Sequence, residues 1–513
     1  MKTRTSTPAL RLSALILLPT LAACAGGATE EPSPEAAAHR AVESITADDM
    51  AREIGVLAHD SMAGRDTPSP ELEAAAEYLA DRFRFMGLEP AGENGTFIHR
   101  YDYEVTRLSD EETTLRLADV EGSALEYGLD FFLVPGMQSV SAEAVYVGVT
   151  GEDSPSSEQR GSLILMDHPG PELDQSWQQR LMTALQPAMM AGAAGLVVIL
   201  DPEFPAGMVS QLAPMMAAQQ APFPVVGITS AAAERLVEAA GHDLGQLRDA
   251  EAATSLGDAP VEVQWSRSSV THRPPNVVAM LPGSDPTLRD SYVVLSAHFD
   301  HVGIGAPDET GDSIYNGADD DASGTAAIVA MAGAFASLPE APARSVIFLA
   351  VSGEEKGLLG SMAYAGAPPI IDIESVVANV NMDMIGRNAP DTVIGIGQEY
   401  TTIQATLDEI QEHHPELGLN VILDPAPEKN FFFRSDQLAF VREGIPAIFF
   451  TTDDHEDYHR PSDEAEKIDN DKAARIARLG FLVAYQIAQD PTAPEWTEDG
   501  RRQVQEMLDR SPF

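Results

Sequence analysis

The sequence predicts an α/β fold: a mixed, largely parallel central sheet flanked by helices, with a smaller α/β unit inserted into it. Three observations carry this reading. Short Val/Ile/Leu/Phe-rich runs, at Ser291–Ala297, Ser345–Val351, Val376–Met382 and Ile445–Thr451, alternate with helical patterns such as AAIVAMAGAFA from Ala326. Uninterrupted apolar runs of that length belong to strands buried on both faces, as in parallel sheets covered by helices. Each run also leads to a His, Asp or Glu at or just past its end, and such sheets present their ligand sites off the carboxyl ends of the strands. Finally, a long region over 127–263 has strand and helix patterns of its own but does not share that layout.

The elements follow in order. Positions 1–23 are expected to be an export signal and not part of the fold. Lys2, Arg4 and Arg11 precede or begin the apolar stretch Leu12–Ala23, which is too short to span a bilayer. That stretch ends in Leu21-Ala22-Ala23-Cys24, the pattern of a bacterial lipoprotein processing site, with Cys24 as the lipidated residue. Cys24 is also the sole cysteine, which excludes an intramolecular disulfide framework. Ala25 stands where an Asp marks inner-membrane retention, so an exported lipoprotein of the outer membrane, facing the periplasm or the cell surface, is expected. Residues 24–40 are small, acidic and proline-containing, and predict a disordered tether.

Residues 41–126 open the main unit, with a helix expected around LEAAAEYLADRFRFMG from Leu72. Within 127–263, GSLILMDHP, MTALQPAMMAGAAGLVVILDP and FPVVGITSAAAERLVEAAG predict strand, helix, strand, strand, helix. His168 there is expected to be structural, since no second ligand lies nearby in the sequence. Residues 264–490 return to the main unit, and 491–513 form a C-terminal tail.

Charge narrows the partners. Eighty Asp and Glu against 32 Lys and Arg give a net charge of −48. Nucleic acids and anionic lipid surfaces are disfavoured by that field. Membrane contact is therefore expected only through a lipid anchor at Cys24.

The strand-end residues define a chemistry. His298 ends the first run, with Asp300 two residues on. Glu354 and Glu355 follow the second, Asp383 the third, and Tyr458 and His459 lie beyond the fourth. Between the first two runs lies Gly317-Ala318-Asp319-Asp320-Asp321-Ala322-Ser323-Gly324. Imidazole and carboxylate without thiolate suit zinc, with manganese or cobalt as substitutes, and do not resemble a calcium cage. His298, Asp320, Glu355, Asp383 and His459 are too many for one catalytic zinc, and suit two zinc ions about 3.5–4 Å apart. One carboxylate must then bridge, and Asp320, at the expected start of a helix, is best placed. Of the adjacent Glu354 and Glu355, one can hold metal while the other takes a proton.

Any one of these fragments would more often be solvated charge; their shared position at strand ends is what a surface pattern does not explain. The segments SAHFDHVG, NGADDDASGTAA, VSGEEKGLLGS, NVNMDMIGR, SDQLAF and YHRPSDE, together covering about Val293 to Asp469, resemble the co-catalytic zinc aminopeptidases and carboxypeptidases of clan MH. The resemblance implies that His298 and Asp383 complete one zinc, that Glu355 and His459 complete the other, and that Asp320 bridges. It implies Glu354 as general base, Tyr458 as a donor to the oxyanion, and Asp300 as an outer partner holding the His298 ring. It also implies a cis peptide between Asp320 and Asp321, and a protease-associated domain for 127–263. Two departures stand out: Asp321 where the family commonly has Asn, and Gln437 where many relatives have His after Ser-Asp.

The expected activity is hydrolysis of peptides, most plainly at the amino terminus because carboxylates able to receive a free α-amine abound. A carboxypeptidase stays open through Arg387 and Arg434. So do two readings from other classes: cyclisation of amino-terminal glutamine with a single zinc, and a non-catalytic binding protein on the same scaffold.

Overall fold

The computed structural model describes residues 34–510 apart from 151–152, 169–175, 203, 205–207 and 251. The expected export signal and Cys24 lie outside the described residues. The expected tether gives way to helix at Pro34: α1 (Pro34–Glu43) buries Ala37, Ala38, Ala41 and Val42, an apolar stripe at helical spacing.

Seven strands form most of one nine-stranded sheet: β1 (Pro275–Leu281), β2 (Tyr292–His298), β3 (Ser345–Val351), β4 (Val376–Met382), β5 (Thr392–Ile396), β6 (Asn420–Ile422) and β7 (Ala447–Thr451). Their order across the sheet is β1-β3-β2-β4-β7-β5-β6. The central four, β3, β2, β4 and β7, are mutually parallel. β1 runs antiparallel to β3, and β5 antiparallel to β7. The four expected runs are therefore the parallel centre, and the mixed character lies outside it.

Covering helices are α2 (Ala47–Leu57), α3 (Pro70–Phe85), α4 (Gly324–Ala336), α5 (Leu359–Gly366), α6 (Ile403–His413), α7 (Gln437–Arg442) and α8 (Asn470–Gln489). Strand residues alternate between two buried faces. Val346, Phe348 and Ala350 of β3 join the core with α2, α3, α4 and α8, whereas Ile347, Leu349 and Val351 join the core with Tyr364 of α5 and Phe440 of α7. That two-sided burial is why these strands are apolar without alternation. The helices start where side chains satisfy free N–H groups: Thr46 accepts from Asp49, Ser69 from Leu72 with Pro70 following, and Asp469 from Lys472.

Arg65 fastens the entry segment to the sheet. It is fully buried, and its guanidinium donates to the carbonyls of Phe299 (2.7 Å), Asn316 (2.8 Å), Gly317 (3.0 Å) and Leu57 (2.5 Å). Burial draws its pKa down to about 10, against the opposing field of Asp300, Asp320, Asp321 and Asp463.

Sheets separate from the nine-stranded one take in strands on both sides of position 127. Tyr103–Leu108 and Arg267–His272 pair as an antiparallel ribbon. Beyond it, Thr114–Leu117, Leu125–Glu126, Val140–Ala142 and Val261–Gln264 form a four-stranded sheet. A six-stranded sheet follows, in which Ala144–Val149, Leu163–Asp167, Gly195–Ile199 and Val225–Ile228 are parallel neighbours. A helix over Met208–Ala217, absent from the expected order, lies in sequence between the last two of these strands. The C-terminal tail is also ordered as helix: α9 (Glu498–Arg510) buries Val504, while Trp496 Nε1 donates to the Gly444 carbonyl at 2.7 Å. Among the described residues, no helix is long and apolar enough to cross a membrane.

Candidate metal centre

The ends of the four parallel strands bring the expected residues to one place. His298 is the last residue of β2, Asp383 follows β4, Glu354 and Glu355 lie on the turn after β3, and His459 lies in the loop after β7. Asp320 sits in the irregular turn Ala318–Ser323 that leads into α4, and the Asp320–Asp321 peptide is cis, as the resemblance implies. Two donor groups share Asp320. On one side, His298 Nε2 lies 3.3 Å from Asp320 Oδ1 and 3.6 Å from Asp383 Oδ1. On the other, His459 Nε2 lies 3.1 Å from both Asp320 Oδ2 and Glu355 Oε2. The two Asp320 oxygens thus face opposite groups, the geometry a bridging carboxylate needs.

A chain of buried polar contacts sets these positions. Asn379 Nδ2 donates to Ser296 Oγ (2.8 Å), Ser296 to Asn381 Oδ1 (2.7 Å), Asn381 Nδ2 to Ser435 Oγ (2.8 Å), and Ser435 to Asp383 Oδ2 (2.7 Å). Asp321 accepts from the backbone N–H of His298 (3.2 Å), Gly324 (3.0 Å) and Met384 (3.1 Å), tying β2, α4 and the end of β4 together. All three bonds need an acceptor, so a carboxylate serves here without touching the centre. Asp463 in turn accepts from the N–H of Asp319 and Asp320, at 3.0 and 3.2 Å.

Asp300 lies against the His298 ring and has other partners as well. Its carboxylate accepts from Thr67 Oγ1 (3.0 Å) and from the Glu354 N–H (3.2 Å). His298 Nδ1 is nearer the Asp300 backbone carbonyl, at 3.2 Å, than its carboxylate, at 3.7 Å. Asp300 therefore anchors the Glu354 turn, and its main chain faces the His298 ring. Gln437 donates to the Phe432 carbonyl at 3.0 Å and so braces its own loop.

The loop carrying Tyr458 and His459 hangs on Asp457, which accepts from Ser462 (2.6 Å), Lys467 (2.7 Å) and Arg387 (2.8 Å). These donors outweigh burial and hold the Asp457 carboxyl well below its usual range. Arg387 Nη2 is thereby committed, while its Nη1 is buried without a hydrogen-bond partner. Arg434 lies over Phe431 at 4.9 Å and Tyr458 at 5.9 Å, and donates to Tyr458 Oη at 3.3 Å.

Electrostatics separate the adjacent glutamates. Burial of its carboxyl pushes Glu354 well above the ordinary value; Asp436, Asp383 and Glu355 add to the rise while His298 opposes it. Glu355 goes the other way: against burial and the Asp320 charge, His301 and His459 hold it down to about 2. Glu354 is thus disposed to take up a proton, whereas Glu355 is held ionised, the state in which a carboxylate can bind a cation.

His301 is the residue that sequence reasoning missed. It is fully buried beside Asp320, Glu355 and His459, with Nδ1 2.8 Å from Glu355 Oε1. Its signal was present in SAHFDHVG, where a second His follows His298 by one helical-like spacing but inside an irregular loop.

The donor set fits a pair of cations. Asp320 Oδ2, Asp383 Oδ1, Glu355 Oε1, His459 Nε2 and both His301 nitrogens are buried without a hydrogen-bond partner. Each such atom costs about 1–3 kcal/mol unless something else satisfies it. Imidazoles and carboxylates converging this way are what zinc would satisfy.

Comparison with known proteins agrees with this chemistry. Residues 276–484, which contain every one of these donors, match the sequence profile of peptidase family M28. A "probable zinc metalloprotease" of Pyricularia oryzae is 28% identical over 271 residues, covering 44% of this chain and 52% of the relative. A second, from Pyrenophora teres f. teres, is 27% identical over 291 residues, covering 47% of this chain and 59% of that one. The chain thus spans little more than half the length of these curated relatives. Among solved structures, an aminopeptidase from Aneurinibacillus sp. strain AM-1 superposes with a TM-score of 0.53 at 20% identity, covering 90% of this chain and 97% of that one. At that identity the likeness is one of fold: a mixed α/β architecture flanked by helices.

Proposed function

We propose, from residues 276–484 belonging to peptidase family M28, that the chain is a two-zinc exopeptidase releasing amino-terminal residues from peptides. The observation that carries this is the division of donors around Asp320: one oxygen faces His298 and Asp383, the other faces Glu355 and His459. Zinc, when bound, would polarise the scissile carbonyl and acidify the attacking water. Glu354, with its raised proton affinity, takes the proton of that water and returns it to the leaving amine. Tyr458, fixed between His459 and Arg434, donates to the oxygen of the tetrahedral intermediate. Asp300 and Thr67 keep the Glu354 turn in register for that transfer.

The acidic side chains around the centre, Asp383 and Asp454 among them, favour a substrate amine over a substrate carboxylate. Arg434 supports a second reading, carboxypeptidase, because its guanidinium lies over ring faces, donates to the Tyr458 hydroxyl and meets Asp454 only at 3.7 Å. Turnover of aminoacyl-anilides and of carboxyl-terminal dipeptides, with and without chelator, separates the two. Chelator-sensitive cleavage of the anilides is expected. Cleavage confined to the dipeptides would replace the reading with carboxypeptidase, and chelator-insensitive turnover would end both.

The unit inserted between the ribbon strands is proposed to be a protease-associated domain, on its two-sheet α/β pattern. Export with a lipid anchor at Cys24, to the outer membrane, is proposed from the sequence of positions 1–24. Cys24→Ser should then move the protein from salt-washed membranes to the soluble fraction with activity kept; retention on the membrane would refute the anchor.

A further inference from the structure

We propose that His301 is a fourth protein donor on one side of the centre, so that the two zinc positions are unequal. His301, Asp320, Glu355 and His459 make a closed set that holds its ion tightly; His298, Asp320 and Asp383 make a three-donor set from which the ion exchanges. This rests on the two-zinc reading above and adds a residue to it.

The donor spacing is the first support. Zinc bonds of about 2.0–2.1 Å at tetrahedral angles separate their donors by about 3.4 Å. His301 Nδ1 lies 2.8 Å from Glu355 Oε1 and 3.7 Å from Asp320 Oδ2, and His459 Nε2 lies 3.1 Å from each of the same two carboxylates. The four side chains therefore surround one point at ligand spacing.

Hydrogen bonding is the second. Close as it is, the approach of His301 to Glu355 lacks the alignment of a hydrogen bond, and both ring nitrogens are buried without a partner. Two lone pairs aimed at a common third point produce that misalignment; an N–H aimed at a carboxylate does not.

Confinement of the ring is the third. Gly317 lies against it in the left-handed region, φ 57°, and a Cβ there would meet His301 Cγ at 2.5 Å and Cδ2 at 2.6 Å. The ring edge packs on His459, with centroids 5.4 Å apart at 77°. A donor held in place before binding loses little freedom when the ion arrives, which raises affinity. Zinc sites with four protein donors are closed, while catalytic sites keep a position free. The inequality thus places the reacting ligands on the His298 side.

The rival is a His301 that merely orients Glu355. Zinc-loaded protein dialysed against graded dipicolinate, with metal read by atomic emission, decides between them. Wild type should release its two ions in separate steps, one retained where the other is lost. His298→Ala should keep the tight ion. His301→Ala should release that ion at least about 100-fold more easily, beyond the 10–100-fold typical of an outer partner. His301→Gln, which can still hydrogen-bond Glu355, should behave as His301→Ala does. Two ions leaving wild type together, a tight ion unmoved in His301→Ala, or rescue by Gln would each overturn the proposal. A wild type that binds one ion only would instead sink the two-zinc reading, and His301→Ala would still decide whether His301 is a donor.

Discussion

The sheet that carries the candidate metal centre and the unit between the ribbon strands are both α/β, yet they bury different things. Beneath the centre, strands carry Ser296, Asn379 and Asn381 fully buried, and four Asp side chains, 319, 320, 321 and 463, lie together almost without exposure. In the inserted unit the strand segments Leu163–Met166, Leu196–Ile199 and Val225–Ile228 are apolar, Gly227 apart, and the ion pairs Arg248–Asp167 and Arg116–Glu262 sit at the surface. Every donor group that could hold a metal, among the described residues, is in the first region. Burying polar groups costs stability unless each is satisfied, and it is tolerated where it fixes a site. The difference teaches which substitutions should strike chemistry and which only stability.

The sharpest separation is Glu354→Gln. The amide cannot accept the proton, so kcat should fall about 10²–10⁴-fold. Metal content by atomic emission and the unfolding midpoint should stay near wild type; loss of zinc would instead make Glu354 a ligand. Next comes Arg65→Met, which strands four buried carbonyls. A loss of about 3–5 kcal/mol is expected from urea unfolding, given the size of effects when a buried cation is removed. An unchanged midpoint would mean that water takes over those carbonyls.

Leu165→Ala tests the other region. Leu165 is 1% exposed in the core between the inserted sheets, and the truncation should cost about 2–5 kcal/mol. Zinc content and turnover at a temperature where the variant is folded should be unaffected. If both fall together, the two regions are coupled and the comparison fails.

The smallest effect expected is that of Asp457→Asn, about 1.5–3 kcal/mol for hydrogen bonds to charged groups. The Asp457 carboxyl is held below its unfolded value of about 3.9. Its contribution is therefore complete above that value and is lost as pH falls through the lower folded one. Wild type and variant should differ most near neutral pH and converge well below pH 4. A gap that stays constant down to pH 2 would show that the bonds, and not the charge, hold the loop.

Much of the first region was legible because its strands are buried on both faces, which writes them as plain apolar runs. Polar residues at or beyond the run ends stood out against those apolar runs, so the convergence of His298, Asp320, Glu355, Asp383 and His459 could be expected before any pairing was known. In the inserted unit the same logic caught the strands but missed the helix at Met208–Ala217. That segment, MVSQLAPMMA, contains Pro214 and no charged residue, so it offers no polar face to read. The pairing of its short strands was illegible for another reason. Thr114–Leu117 finds its partner in Val261–Gln264, far along the chain, and a four-residue strand has no signature alone.

The sequence by itself determined the α/β class, the burial of the central runs and the residue types of the candidate metal centre, because periodicity and side-chain chemistry are local properties. Tertiary structure alone decided that β3 lies between β1 and β2, that Asp300 anchors the Glu354 turn with the His298 ring against its main chain, and that His301 joins Glu355 and His459. Each of those depends on which distant segments meet. Contact across a sheet or a turn is set by the packing of the whole chain, and no window of residues contains it.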